Sequence, residues 1–253
     1  MFHVKRERAP EPNDGARTAA ELLASARRVC VSTGAGMSVA SGLSTFRGSD
    51  GLWSSFDPAK LATPQAFARD PATVWAWYRE RRLRLARTQP NRGHQILAAW
   101  ERRLESLTVV TQNVDGLHGR AGSSKVIELH GRLDAVRCTG CPFESRTLDD
   151  LGPDPHCDAC GRRLRPGVVW FGEMLPAGAW EAAVAAVGAC DLLILIGTSG
   201  AVQPAASLAE FAVRRGASVV EINPNASELS HLATVAVRAD CVAALEAIAS
   251  RLA

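Results

Sequence analysis

The sequence predicts an α/β fold: a doubly wound, Rossmann-like parallel sheet in a large domain that carries a smaller inserted zinc-binding lobe and a helical insertion. Three observations support this fold class. Short apolar runs of strand length are separated by helical stretches. The runs are continuously apolar rather than alternating, as in a parallel sheet covered on both faces. A glycine loop directly follows the first of them.

Composition sets the limits of this fold. A chain of 253 residues, 47% hydrophobic and 22% charged, can bury a full core in one such domain. The net charge of +3 is small, which argues against a nucleic-acid partner. The most apolar run, residues 192–196, is too short to span a bilayer, and residues 1–17 lack the apolar core of a signal peptide. We expect a cytoplasmic protein without membrane contact, with residues 1–17 as a flexible tail and 18–253 as the folded domain.

The elements follow in order along the chain. Thr18 and Glu21 have capping-box spacing and predict a helix over residues 19–26. A strand is expected at residues 29–32, and others at 107–110, 126–129, 192–196, 219–222 and 235–237. Two stretches break the alternation and predict insertions: residues 56–103, which are helical in pattern, and residues 131–166, which are rich in cysteine. A cleft between the sheet and these insertions is the expected ligand site.

Four cysteines in the second insertion predict a structural zinc site. They form two C-x-x-C pairs separated by fifteen residues, Cys138 with Cys141 and Cys157 with Cys160. This spacing lets two tight turns place four thiolates around one tetrahedral zinc ion. Because sulfur would fill all four positions, the ion would hold the fold together and take no part in chemistry. The other cysteines, Cys30, Cys190 and Cys241, lie in apolar surroundings typical of free thiols in a reducing compartment.

The loop after the first strand, GAGMS at residues 34–38, can bring its backbone close to a phosphate, and a following helix would point its N-terminus at the anion. The third glycine of the Rossmann fingerprint is missing, because Val39 occupies its position. A tight strand-to-helix turn without a ligand is therefore the alternative interpretation of this loop.

Six segments in the same order resemble the sirtuin family of NAD-dependent protein deacylases. They are GAGMSVASGLSTFRG at 34–48, TQNVDGLH at 111–118, LHG at 129–131, RPGVVWFGE at 165–173, GTS at 197–199 and NPN at 223–225, with the two cysteine pairs between the third and fourth. Only the N-terminal tail and the last helix lie outside the resemblance. It implies the sirtuin fold, NAD as a co-substrate, and residues 18–253 as a catalytic domain.

The resemblance also places the contacts of NAD. Phe46 and Arg47 would belong to a flexible loop over the dinucleotide, and Asp115 would accept a hydrogen bond from the nicotinamide amide. Asn223 would contact the adenosine ribose, and Cys241 the adenine side. The full predicted set is Gly34, Ala35, Gly36, Met37, Ser38, Thr45, Phe46, Arg47, Gln112, Asn113, Val114, Asp115, Gly197, Thr198, Ser199, Asn223, Pro224, Asn225 and Cys241. For residues 112–115 the alternative is an ordinary Asx-rich turn.

His130 is the predicted general base, because its ordinary pKa near 6.5 suits proton transfer at neutral pH and it follows a strand that ends at the expected cleft. A structural role, the usual one for a single histidine, is the interpretation favoured for His94, His118 and His156. In the reaction that the resemblance implies, the acyl oxygen of a modified lysine attacks the ribose carbon that bears nicotinamide. The products are lysine, nicotinamide and O-acyl-ADP-ribose.

The expected partners are acylated lysine side chains of proteins. Residues 168–173 would pair with the peptide as an added strand, and Val169 and Phe171 would line the tunnel for the lysine stem. The predicted substrate-binding set is Tyr78, Arg81, Val169, Phe171, Gly172 and Glu173.

Tyr78 and Arg81 lie three residues apart on a predicted helix, so both project from one face and can hold a carboxylate. Residues 74–82 resemble the class III sirtuins, which remove succinyl and malonyl groups, and Thr45 agrees with that subgroup. Acetyl-lysine is expected to be accepted as well, because it meets no clash. The alternative is a basic helix face that contacts only water.

Two other functions stay open from the sequence. One is an NAD-dependent dehydrogenase with a structural zinc, which would leave NAD whole and need a pocket for a hydride acceptor. The other is a binding module without turnover, either a zinc ribbon on nucleic acid or an NAD sensor. Release of nicotinamide separates the first from a deacylase.

Overall fold

The computed structural model describes residues 14–46, 51–52 and 57–252. The α-helices are α1 Asp14–Ser25, α2 Pro58–Leu61, α3 Pro64–Arg69, α4 Pro71–Arg87, α5 Arg92–Arg103, α6 Leu117–Arg120, α7 Ala177–Ala189, α8 Ser207–Arg214 and α9 Cys241–Ala249. Short 3-10 helices cover Ala35–Ser41 and Ser230–Leu232. No helix within these ranges has both the length and the apolarity to cross a membrane.

Six parallel strands form the main sheet in the order β3-β2-β1-β7-β8-β9. They are β1 Arg28–Thr33, β2 Ser106–Thr111, β3 Val126–Glu128, β7 Leu192–Ile196, β8 Ser218–Ile222 and β9 Val235–Val237. The chain builds outward from β1 to β3, returns to the centre, and builds the other way from β7. Ligands of such sheets bind at this reversal, so the topology points to the carboxyl ends of β1 and β7. The predicted fold class and all six strands are confirmed, within two residues at each end.

Both faces of the sheet are covered, which explains the continuous apolar runs. In β7, Leu192, Ile194 and Ile196 belong to the core beneath α1, α5 and α9. Leu193 and Leu195 belong to the opposite core, which α7 and α8 cover. Since successive side chains of a strand point to opposite faces, a strand between two helical layers needs apolar residues at every position.

Helix α1 begins at Asp14, five residues before the predicted start at residue 19, so the capping box at Thr18 was a wrong interpretation. The buried stripe of the helix already includes Ala16, one turn before Ala19 and Ala20. Gly15 permits this packing, because a Cβ there would lie 2.7 Å from the carbonyl oxygen of Ala236. Residues 14–17 of the predicted tail are therefore helical, and residues 1–13 lie outside the described part.

The small lobe has its own antiparallel sheet, β5-β4-β6, formed by Glu144–Arg146, Gly131–Cys138 and Leu164–Val168. Helix α4 docks on it, and the Trp75 indole N–H donates to the carbonyl of Leu164 at 3.0 Å. A separate apolar cluster fills the space between them. Helix α5, which we predicted as part of the helical insertion, instead packs under the main sheet through Ile96, Leu97 and Trp100. The helical excursion therefore ends before Arg92.

Candidate active site

A cleft of about 590 Å³ opens between the two lobes at the carboxyl ends of β1, β7 and β8. Most of the predicted site residues line it, although they come from distant parts of the chain. They are Gly34, Ala35, Gly36, Thr45, Phe46, Tyr78, Arg81, Gln112, Asn113, Val114, His130, Val169, Phe171, Gly172, Glu173, Gly197, Thr198, Ser199, Asn223, Pro224, Asn225 and Cys241. Arg47 lies outside the described residues.

The loops after β1 and β7 meet at the floor of the cleft. A Cβ on Gly34 or Gly36 would lie 2.7 Å from backbone atoms of Gly197, so neither position has room for a side chain. The helix expected after Gly34 is a 3-10 helix of seven residues, Ala35–Ser41. Within it, Met37 is fully buried in the core below the loop and does not line the cleft.

Ser38 and Asp115 line a smaller neighbouring cavity of about 260 Å³, which shares Asn113 and Val114 with the cleft. The carboxylate of Asp115 is already engaged inside the protein, since one oxygen accepts from Ser38 Oγ at 2.7 Å and the other from the Leu117 N–H at 2.9 Å. The Asn113 amide donates to the carbonyl of Gly34 at 3.0 Å. These bonds fix the wall between the two cavities.

At the far end of the cleft, the side-chain amide of Asn223 donates to the Thr198 carbonyl at 2.8 Å. The amide of Gln112 donates to Thr198 Oγ1 at 3.3 Å. The loop after β7 is thus held from both sides. Cys241 lies at the start of α9, where burial raises the pKa of its thiol to about 12. The thiol therefore stays protonated at neutral pH and is a poor nucleophile.

His130 has one ring nitrogen fixed and one facing the cleft. Its Nδ1 lies 3.0 Å from the carbonyl oxygen of Gln112, and because a carbonyl only accepts, Nδ1 carries the proton. Nε2 is therefore the proton acceptor. Burial lowers the pKa of His130, which favours the neutral imidazole at pH 7. The backbone of His130 is held in place as well, because its carbonyl accepts from the Val169 N–H at 2.8 Å.

Tyr78 and Arg81 meet at the opposite wall. Tyr78 is 2% exposed, and its oxygen accepts from the indole N–H of Trp170 at 3.0 Å. The guanidinium of Arg81 lies over the rings of Trp77 at 4.5 Å and Phe46 at 5.1 Å. Desolvation lowers its pKa, although an arginine in this position keeps its charge at neutral pH. A half-buried cation beside a phenol is suited to an anionic group.

Glu173 was predicted to bind substrate, but its carboxylate is used inside the protein. It pairs with Arg165 at 2.6 and 3.0 Å and accepts from the backbone N–H of Trp170 at 2.8 Å. The N–H groups of Val169 and Phe171 also donate within the chain. The segment therefore presents few free backbone donors to an added strand.

Other lining residues were not predicted. They are Val39, Ala62, Trp77, Leu175, Val202, Gln203, Pro204, Ala226, Ser227 and Asp240. Val168 and Trp170 also line the cleft and belong to the predicted peptide-pairing segment 168–173. Several had an available signal, because residues 202–204 and 226–227 continue segments that follow strands β7 and β8. Val39 lies within the segment 34–48 that carries the family resemblance, whereas only the tertiary fold brings Ala62 to the cleft.

The four predicted metal ligands converge in the small lobe. The sulfur atoms of Cys138, Cys141, Cys157 and Cys160 all lie within 4.8 Å of one another. Two of the separations are 3.4 and 3.7 Å, close to the roughly 3.8 Å between ligands of a tetrahedral Zn–S₄ centre with 2.3 Å bonds. No disulfide joins them, so the donor set fits one structural zinc ion.

Comparison with known proteins agrees with this architecture. The Sir2 family model matches residues 34–204. The NAD-dependent protein deacylase 1 of Pseudomonas aeruginosa is 51% identical over 225 residues, which are 85% of this chain and 90% of the relative. A solved Sir2 homologue–NAD complex is 43% identical with a TM-score of 0.87, covering 93% of this chain and 94% of that one.

A more distant solved structure, a Sir2–p53 peptide–NAD⁺ complex, is 32% identical with a TM-score of 0.83, over 92% of this chain and 96% of that one. The matched region contains the loop after β1, the strand end at His130 and the whole four-cysteine lobe. Family model, relative and solved structures thus agree over most of the chain, and the predicted resemblance is confirmed: the chain belongs to the Sir2 family.

Proposed function

We propose that the chain is an NAD-dependent protein-lysine deacylase that removes succinyl and malonyl groups, and also acetyl groups, from lysine. Its relatives bear the name NAD-dependent protein deacylase, and a neighbour of the same fold was solved with NAD. The observation that carries the proposal is the free Nε2 of His130 at a cleft that also contains a cation and a phenol.

The dinucleotide fits the cleft at the reversal of the strand order. Gly34, Gly36 and Gly197 line the cleft where the two loops meet, so their backbone can approach a pyrophosphate closely. Asn223 and Ser199 stand at the adenosine end, and Asn113 and Asp115 at the nicotinamide end. The rings of Phe46 and Trp77 lie on the same cleft and would limit access of water.

His130 would act as the general base. With Nδ1–H held by Gln112, only Nε2 can take a proton, and it would take that of a ribose hydroxyl so that the oxygen can receive the acyl group. NAD, acyl-lysine and one water then give lysine, nicotinamide and O-acyl-ADP-ribose. The zinc site would stabilise the lobe without entering these steps, because its four ligands are all sulfur.

Tyr78 and Arg81 would bind the terminal group of the acyl chain. A terminal carboxylate would accept from the phenol O–H and pair with the guanidinium, which has no carboxylate partner among the ion pairs of the described residues. An acetyl group would leave both unpaired without a clash. The exposed Phe171 and Met174 would contact the peptide beside the lysine tunnel.

The test is mass spectrometry of succinyl-, malonyl- and acetyl-lysine peptides incubated with NAD and either the wild-type protein, Tyr78→Phe or Arg81→Met. We expect Tyr78→Phe to lower kcat/KM for the two acidic groups about tenfold or more, and Arg81→Met more strongly, because each removes a charge-assisted contact. Deacetylation should fall much less. Equal losses on all three peptides would contradict the role of this pair.

A further inference from the structure

Trp170 stands directly behind the acyl-binding wall. Its indole N–H donates to the Tyr78 oxygen at 3.0 Å, and both side chains are 2% exposed. Because an indole can only donate, the phenol oxygen must be the acceptor in this bond. The phenol's own proton is then left to donate elsewhere, and Tyr78 borders the cleft.

Two side chains pack against the Trp170 indole, and a hydrogen bond holds its backbone N–H. The guanidinium of Arg165 lies 3.5 Å above its ring centroid, and the ring of Phe67 packs against it at 5.2 Å. Glu173 accepts from the Trp170 backbone N–H and pairs with Arg165, so it links the backbone of Trp170 to the guanidinium above its ring. A donor held this firmly can fix the orientation of the hydroxyl that it contacts.

The surroundings also keep the phenol in its protonated form. Burial raises the pKa of Tyr78, so the hydroxyl retains its proton at neutral pH. Because the indole N–H donates to the phenol oxygen, the hydroxyl proton cannot point at the indole. It is left to donate into the cleft that Tyr78 borders.

We propose that Trp170 is a positioning residue for acyl specificity, whose indole N–H turns the Tyr78 hydroxyl into a donor aimed at the carboxylate of an acidic acyl group. The inference rests on the proposed function, in which Tyr78 contacts that carboxylate. Trp170 itself makes no contact with the acyl group in this proposal and acts through the phenol.

The experiment is a double-mutant cycle on the ratio of kcat/KM for succinyl-lysine to that for acetyl-lysine peptide, with Trp170→Phe, Tyr78→Phe and the double variant. Since both rates come from one preparation, the ratio is independent of how much of the protein is folded. Trp170→Phe should lower the ratio about fivefold, the effect of one hydrogen bond. In the Tyr78→Phe background it should change the ratio no further.

Trp75→Phe is the matched control. Trp75 is a buried tryptophan of the same apolar cluster, and its N–H also makes one hydrogen bond, but to the Leu164 carbonyl rather than to Tyr78. It should leave the ratio unchanged. If Trp170→Phe lowers the ratio equally with and without the phenol hydroxyl, or no more than Trp75→Phe does, the positioning role is wrong. If Tyr78→Phe itself leaves the ratio unchanged, the role of Tyr78 in binding acidic acyl groups, on which this inference rests, is wrong.

A second measurement reports on the bond without turnover. Tyr78 is the only tyrosine of the chain, so the absorbance change on phenol ionisation belongs to it alone. The N–H of Trp170 lowers the pKa of Tyr78 against the larger effect of burial, and its loss should move the ionisation to higher pH. A titration unchanged between the folded wild-type and Trp170→Phe proteins would overturn the proposal.

Discussion

Two buried histidines below the cleft, His94 and His118, both carry their proton on Nε2. Nδ1 of His94 accepts from the backbone N–H of Asn91 at 3.3 Å, so its Nε2 carries the proton. Nε2 of His118 lies 3.1 Å from the hydroxyl oxygen of Thr33, which donates its own proton to Thr111, so this nitrogen donates and Nδ1 is left unprotonated. The rings are 4.8 Å apart. Both side chains are fully buried and neutral, which agrees with the structural role expected for them.

These histidines predict a pH dependence of stability. Burial lowers the pKa of His94 to about 4 and that of His118 to about 3, whereas both should titrate near 6.5 in the unfolded chain. Between about pH 6.5 and pH 4 the unfolded state therefore binds more protons, and the free energy of unfolding falls as the pH falls. Each histidine should cost about 1.4 kcal/mol between pH 7.5 and pH 5.5.

Urea unfolding at these two pH values, for the wild type and His118→Asn, measures the effect. The variant should be less stable at pH 7.5 because of its lost contacts, yet lose about 1.4 kcal/mol less on acidification. Protonation of the cysteine site is common to both proteins and cancels in the difference. Equal losses in the two proteins would show that His118 is not neutral in the folded state.

At the scale of elements, helix α4 shows what a sequence pattern does and does not determine. The run of arginines predicts either a carboxylate site or a solvent-exposed basic face. In the structure, the arginines of this helix differ in their burial and in their partners. Arg82 is 2% exposed and donates to backbone carbonyls of the small lobe, at Leu133, Thr147 and Asp149. Arg79 pairs with Asp150, whereas Arg84 is exposed. The helical period identifies the faces, but only the docked lobe supplies the carbonyls that distinguish Arg82 from Arg84.

The zinc lobe is predicted to depend on its metal. Cys157→Ser should lose the ion and unfold residues 131–168, while the six-stranded sheet stays folded because its two cores do not include the lobe. Zinc content per chain, together with amide hydrogen exchange of the two regions, measures this outcome. Since α4 packs on the lobe, protection around Tyr78 should fall with it.

Cys190→Ser is the matched control. Cys190 is also buried, but it lies in the core under α7 and donates to the carbonyl of Val187 rather than joining the metal cluster. It should keep one zinc ion per chain and normal protection of the lobe. Full zinc content in Cys157→Ser would contradict the four-thiolate site.

At the scale of the whole molecule, the sheet could be predicted because burial on both faces leaves continuous apolar runs in the sequence. The cleft followed from the glycine loop and the ends of the strands. The position of α5 could not be predicted, because its periodic pattern is the same whether it packs on the main sheet or on the lobe. The start of α1 was missed for a related reason, since the Asp14-Gly15 pair that is typical of a turn serves close packing against β9.

For the site residues too, the ends of the strands could be predicted, whereas individual tertiary contacts could not. The position of His130 and the glycine loops at the cleft could be predicted because strand ends converge in a parallel sheet. The engagement of Glu173 with Arg165 is a tertiary contact that the motif cannot reveal. Likewise, the bond between Trp170 and Tyr78 joins residues 92 positions apart.

We infer that the bond between nicotinamide and ribose is broken in the cleft and that His130, as the general base, allows the acyl group to move onto the ribose. The most direct measurement is quantitation of free nicotinamide, O-acyl-ADP-ribose and deacylated peptide after incubation with NAD and succinyl-lysine peptide. We expect one of each per turnover in the wild type, and no deacylated peptide with His130→Ala although that variant still binds NAD. Intact NAD beside unchanged peptide, formation of reduced dinucleotide, or undiminished deacylation by His130→Ala would contradict it.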